Sequence, residues 1–190
     1  MPVLYLSKPF QRVLVIGNYG GKISTLQKLE ATNDYDKYVI NGGFSGDILE
    51  YRLLRELISS GKFSYVANRN DYIRLIQDET SNEIKKWIQS LPNVVIINYA
   101  SRPVIIFNGG LPTNNMKIED LNNNLEVSFV ASSWHQRYRG KLGYIISNQS
   151  NQVETQTSQY FAYSMCLRQN YAQEVDQIGL KKLICLDDDA

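Results

Sequence analysis

Histidine is almost missing from this sequence: His135 is the single one in 190 residues. One imidazole builds no metal cluster, and no serine or cysteine stands at a recognisable spacing to make a nucleophile–base pair with it. Cysteine is nearly as scarce. Cys166 and Cys185 are too few for a disulfide framework or a structural zinc site. They read as buried thiols in a reducing compartment, with one disulfide between them as the alternative. An excess of either charge is also lacking. Lys plus Arg number 20 against 19 for Asp plus Glu, a net charge of +1, which gives no electrostatic case for nucleic acid or a membrane surface. Long hydrophobic runs are absent too. The apolar stretches are strand-sized, and the opening "MPVLYLSKPF" has no charged segment ahead of an apolar one of adequate length, so neither a membrane span nor a secretory signal is expected.

What is present suits a globular fold. At 43% hydrophobic and 21% charged, the chain is long enough to bury a sizeable core, and one domain over residues 1–190 is expected. "RVLVI" (12–16), short, β-branched and closed by Gly17, reads as a buried strand. Ile23, Leu26 and Leu29 then recur at helical spacing. "KYVIN" (37–41) predicts a second strand. "ILEYRLLRELISS" (48–60) predicts a helix with Asp47 as its N-cap and Gly61 just past its end, and "KFSYVA" (62–67) a third strand. This β-α-β-α-β order requires crossovers and hence a largely parallel sheet. After "DYIRLIQ" (71–77), "TSNEIKKWIQSL" (80–91) reads as a helix with a Thr80–Glu83 capping box and with Ile84, Trp87, Ile88 and Leu91 on one face. "NVVIINY" (93–99) and "RPVIIFN" (102–108) look like a hairpin, which breaks the parallel alternation. A helix near 116–124 and strands near 143–147, 159–167 and 181–186 complete the reading. "SNQSNQVETQTSQ" (147–159) is read as a loop and the acidic end, Asp187 to Asp189, as a solvated tail.

Five turns that follow strands share a composition: "GNYGG", "NGGFSGD", "ANRND", "FNGGLP" and "SNQ". Loops that leave the carboxyl ends of strands in an α/β sheet converge on one face, so this face is expected to be lined by Asn and Gly. In order and chemistry the turns resemble the motifs of the calcineurin-like metallophosphoesterases, in particular compact phosphatases of bacteria and tailed phages, over roughly residues 12 to 186. The pattern of that family runs G-D-x-H-G, G-D-x-x-D-R-G, G-N-H-(D/E), H-(A/G)-G-(L/I) and G-H. The resemblance implies an α/β fold in which two mixed sheets pack face to face, flanked by helices.

Carried over residue by residue, the resemblance removes the ligands. The first Asp falls on Asn18 and the His on Gly20. The metal-bridging Asp falls on Gly43, and the second Asp of that motif on Gly46. Asn68 is kept, but the catalytic His becomes Arg69 and the acidic residue Asn70. The last two His ligands become Asn108 and Asn148. In "SSWHQRYRG" the Arg of a W-x-R segment is displaced to Arg137. A two-metal phosphatase holds its cations roughly 3.5–4 Å apart with carboxylates and imidazoles. At an effective dielectric of about 20, such ions repel by roughly 18 kcal/mol, which bridging carboxylate must offset. Neutral amides are weak ligands for such ions. The resemblance thus implies a pseudophosphatase with no metal and no cofactor, acting as a scaffold or binding subunit with protein partners, homo- or hetero-oligomeric. With a chain rich in Asn, Ile, Lys and Tyr, a cytoplasmic or virion-associated location and a viral or phage structural role are expected.

Other readings of the same residues stay open. Asn18, Asn108 and Asn148 form a repurposed pocket for a polar ligand, or simply fill strand-end turns, where Asn tolerates left-handed backbone. Arg69 and Arg137 hold an anion bidentately or make ordinary ion pairs. Asp47 and Asp71 form a relocated single-metal site in a divergent phosphoesterase, or cap helices. The thirteen tyrosines, Tyr5, Tyr19, Tyr35, Tyr51 and Tyr72 among them, anchor a protein interface or pack strands.

Overall fold

Strand β1 (Val3–Leu6) opens the described part of a computed structural model, which comprises residues 3–6, 10–17, 19, 22–42, 44, 47–67, 81–99, 103–107, 144–147, 154–157, 163–166, 171–177 and 179–186. There follow β2 (Arg12–Ile16), α1 (Ile23–Thr32), β3 (Lys37–Ile40), α2 (Ile48–Ser59), β4 (Phe63–Tyr65), α3 (Asn82–Ser90), β5 (Val94–Ile97) and β6 (Val104–Phe107). The second half contributes β7 (Tyr144–Ser147), β8 (Glu154–Thr157), β9 (Tyr163–Cys166), β10 (Tyr171–Asp176) and β11 (Gly179–Cys185).

Two mixed sheets result. One has five strands in the order β11-β10-β2-β3-β4, the other six in the order β1-β5-β6-β7-β9-β8. In the first, β2, β3 and β4 run parallel and β10 lies antiparallel to β2. In the second, β5 and β6 form the expected antiparallel hairpin, with Val94 opposite Phe107, while β6, β7 and β9 run parallel.

Alternation along the strands builds two cores. Val13, Val15, Val39, Val66 and Val175 of the five-stranded sheet meet Val95, Ile97, Val104, Ile106 and Ile146 of the other, which packs the sheets face to face. The intervening residues Leu14, Ile16, Tyr38, Ile40, Phe63 and Tyr65 point the other way. They pack beneath the helices on Ile23 and Leu26 of α1, Tyr51, Leu54 and Leu57 of α2, and Ile84 and Ile88 of α3. A strand buried on both faces has no polar position to alternate, which is why "VLVI" reads as a continuous apolar run.

Helix α2 begins as the sequence predicts. The Asp47 carboxylate accepts from the Glu50 N–H at 3.0 Å and the Glu50 carboxylate accepts from the Asp47 N–H at 3.1 Å, a complete capping box. Past its end Gly61 takes a φ of 84°, left-handed backbone that favours glycine. Nearby the half-turn is tied down by Lys37, itself buried, whose ammonium donates to the carbonyls of Gly61 and Phe63.

Several expectations are corrected. The segment 147–159 is not all loop, because Glu154–Thr157 forms edge strand β8, paired antiparallel with β9. The N-cap of α3 is Ser81, with no side-chain cap bond, so the Thr80–Glu83 capping box does not form at the expected place. Cys185 is exposed rather than buried, since it sits on the outermost strand of the five-stranded sheet. Strands β1 and β10 are additions to the sequence reading. "DYIRLIQ" (71–77), the helix near 116–124 and the acidic end lie outside the described residues.

Candidate functional site

Parallel pairing sends the carboxyl ends of β2, β3 and β4 to one rim of the sandwich. A single buried amide ties this rim to the other sheet. Asn41, fully buried just after β3, donates its Nδ2 to the Phe107 carbonyl at the end of β6, 2.9 Å away. Because β7 runs parallel to β6 with Ser147 beside Phe107, the strand ends that precede all five Asn- and Gly-rich turns lie together. This convergence is what the order of the turns predicts.

The turns are cross-linked at their roots. After β2, the Gly17 N–H donates to the Tyr171 carbonyl at 2.7 Å and the Tyr19 N–H to the Gly42 carbonyl at 3.4 Å. The Tyr19 ring is fully buried, and its hydroxyl donates back to the Lys22 carbonyl at 2.8 Å, which closes the first turn on itself. After β3, Gly42 takes a φ of 70°. Phe44, also fully buried, donates its N–H to the Tyr65 hydroxyl at 3.1 Å, and its carbonyl accepts from the Tyr51 hydroxyl at 2.7 Å. After β4, the Val66 N–H donates to the Ile40 carbonyl and the Ala67 N–H to the Pro92 carbonyl, at 2.8 and 2.9 Å.

Asn18, Gly43, Asn68, Arg69, Asn108 and Asn148 themselves lie outside the described residues, as do Gly20, Gly46, Asn70, Asp71, His135 and Arg137. Their chain neighbours Gly17, Tyr19, Gly42, Phe44, Ala67, Phe107 and Ser147 are in place and bring the turns together. Asp47 is a helix cap, its carboxylate and its own N–H both engaged with Glu50. Among the described residues, no group of three or more His, Cys, Asp or Glu side chains is arranged to hold a metal. The polar side chains at the described roots are neutral: Asn41, Ser147 and the hydroxyls of Tyr19, Tyr51 and Tyr65. Three of these, Asn41, Tyr51 and Tyr65, carry the rim and were not singled out for it by sequence. Their only signal is position, at the end of a strand or on the helix-facing side of an element.

The opposite rim carries a different polar feature. Tyr99, two residues past β5, is 7% exposed, and among the described residues its hydroxyl has no hydrogen-bond partner. Burial, and then the negative charges of Asp176 and Asp36, push its pKa up to about 12.

No protein-family model matches the sequence, and no curated protein sequence does either. Solved structures match the fold. A candidate diadenosine tetraphosphatase superposes with a TM-score of 0.63 at 16% identity, covering 92% of each chain. A protein serine/threonine phosphatase from Saccharomyces cerevisiae superposes at 0.61 and 12% identity, over 96% of this chain and 82% of its own. A hypothetical protein from Pyrococcus horikoshii OT3 reaches 0.54 at 11% identity, over 92% and 88%. The fold is that of the calcineurin-like metallophosphoesterases.

Proposed function

We propose that this chain is a pseudophosphatase: a metallophosphoesterase fold that carries out no phosphoester hydrolysis and serves as a rigid scaffold or binding subunit for protein partners, as part of a larger assembly. One observation carries the reading. At the turns that converge on one rim, the positions matching the family's carboxylate and imidazole ligands hold Asn18, Gly20, Gly43, Asn108 and Asn148. Amide and glycine supply no negative charge, and a pair of divalent cations held within about 4 Å needs it. The enzymatic alternative places a single metal on Asp47 or Asp71. It is disfavoured because the Asp47 carboxylate is engaged in capping α2.

The test is direct. Protein purified and dialysed against manganese is assayed for bound metal and for turnover of a generic aryl phosphate. The expected outcome is less than one metal per chain and no turnover above a boiled control. Two tightly bound ions, with turnover, overturn the proposal. Turnover with one ion that disappears in Asp47→Ala or Asp71→Ala establishes the alternative. The scaffold role is tested separately, by isolating the chain from its native source: a partner in fixed stoichiometry is expected, and a chain that elutes alone as a monomer counts against it.

A further inference from the structure

We infer that Tyr51 and Tyr65 lock the second turn of the rim without any cation, so that the protein alone assembles this face. Both polar groups of one residue, Phe44, are gripped by hydroxyls from two different elements. Tyr51 of α2 donates to its carbonyl at 2.7 Å, and Tyr65 of β4 accepts from its N–H at 3.1 Å. The three side chains are between 0 and 1% exposed, and the Phe44 and Tyr51 rings meet edge to face with centroids 5.1 Å apart. In so dry a site no water replaces a lost partner, and each bond supports the other by holding the same peptide.

The grip falls at a telling place. Phe44 follows Gly43, the position that matches the metal-bridging aspartate of the resembling family. The turn is also pinned on both sides of the clasp, by Asn41 reaching Phe107 and by the capping box at Asp47. Three independent anchors within seven residues fix the backbone in the stretch that a bridging carboxylate would organise around cations. A face ordered in advance loses no freedom when a partner docks on it. The clasp holds whether or not the chain turns over a phosphate ester.

The experiment reads amide exchange at Phe44 and the melting temperature of the full chain, with chelator, with manganese, and in Tyr51→Phe, Tyr65→Phe and the double variant. Chelator and manganese are expected to leave both readouts unchanged. Each single variant is expected to raise exchange at Phe44 about fivefold, the equivalent of about 1 kcal/mol for one hydrogen bond. The second loss adds less than the first, because the peptide is already released. Tyr38→Phe is the control: it removes a similar bond, 2.6 Å to the Leu29 carbonyl of α1, and is expected to lower the melting temperature without altering exchange at Phe44. Faster exchange at Phe44 in chelator, or slower exchange in manganese, overturns the inference. So does a pair of clasp variants that melt early, as the control does, with Phe44 still protected. Should a variant not fold, the metal arms on the unaltered chain decide alone.

Discussion

Tyr19, Tyr38 and Tyr51 each bury their ring and donate their hydroxyl to a backbone carbonyl, whereas the buried Tyr99 hydroxyl meets no partner among the described residues. The sequence offers the same letter in every case. It cannot separate interface anchors from packing, because that depends on which face of a strand meets which layer. Of the tyrosines singled out as anchors, Tyr19, Tyr35 and Tyr51 are buried, Tyr5 is exposed, and Tyr72 lies outside the described residues. Tyr99 has a consequence for pH. Its folded pKa of about 12 stands above the ordinary 10.0, so the neutral phenol is favoured in the folded state. The stability this contributes is fully present below pH 10 and is lost as pH rises through about 12, worth at most about 2–3 kcal/mol. Burial raises the pKa of Tyr35 and Tyr38 as well, and they act in the same direction. In Tyr99→Phe, melting curves between pH 9 and 12 are expected to show a shallower alkaline decline. At neutral pH the variant is expected to be as stable as the parent or more so by about 1 kcal/mol, since an unpartnered buried hydroxyl is removed. A clear loss at neutral pH argues that the hydroxyl is bonded.

At the scale of single elements, periodicity and caps decide what is legible. Helix α2 shows its whole logic in sequence, from Asp47 and Glu50 through Tyr51, Leu54 and Leu57 to Gly61. Replacing Asp47 by alanine should cost about 1 kcal/mol in urea unfolding and nothing in metal content, if the carboxylate is a cap and not a ligand. Strand β8 is the opposite case. "ETQT" has no apolar alternation because it is the edge of its sheet, bonded on one side only to β9, and an edge strand reads like a loop. Strand β10, "YAQEVD", hides for another reason. Its Gln173 is buried, and the amide satisfies itself on the Glu174 carbonyl, so a polar letter sits where a strand pattern wants an apolar one. Ser81 displaces Thr80 as the cap of α3 because propensity alone does not fix a boundary to one residue.

For the whole molecule, the order of five turns was enough to bring the fold and the rim within reach of the sequence, since crossover chirality and strand parallelism leave few places for such turns to go. The cross-sheet link was not legible. Asn41 contacts Phe107 across 66 positions, and no local pattern marks an amide that joins two sheets. Changing Asn41 to alanine leaves the Phe107 carbonyl buried without that donor. A loss of about 1–3 kcal/mol in urea unfolding is expected, with an unchanged m-value. A smaller loss means that the sheets are held by their apolar faces alone. The place of β10 between β2 and β11 adds a consequence in time. Arg12 and Glu174 meet across 162 positions, so the second edge of β2 is covered only by strands from residue 171 onward. While the ribosome is still working, that edge and its "VLVI" stand bare, and the nascent chain spends most of its synthesis as an unfinished sheet open to pairing with strangers.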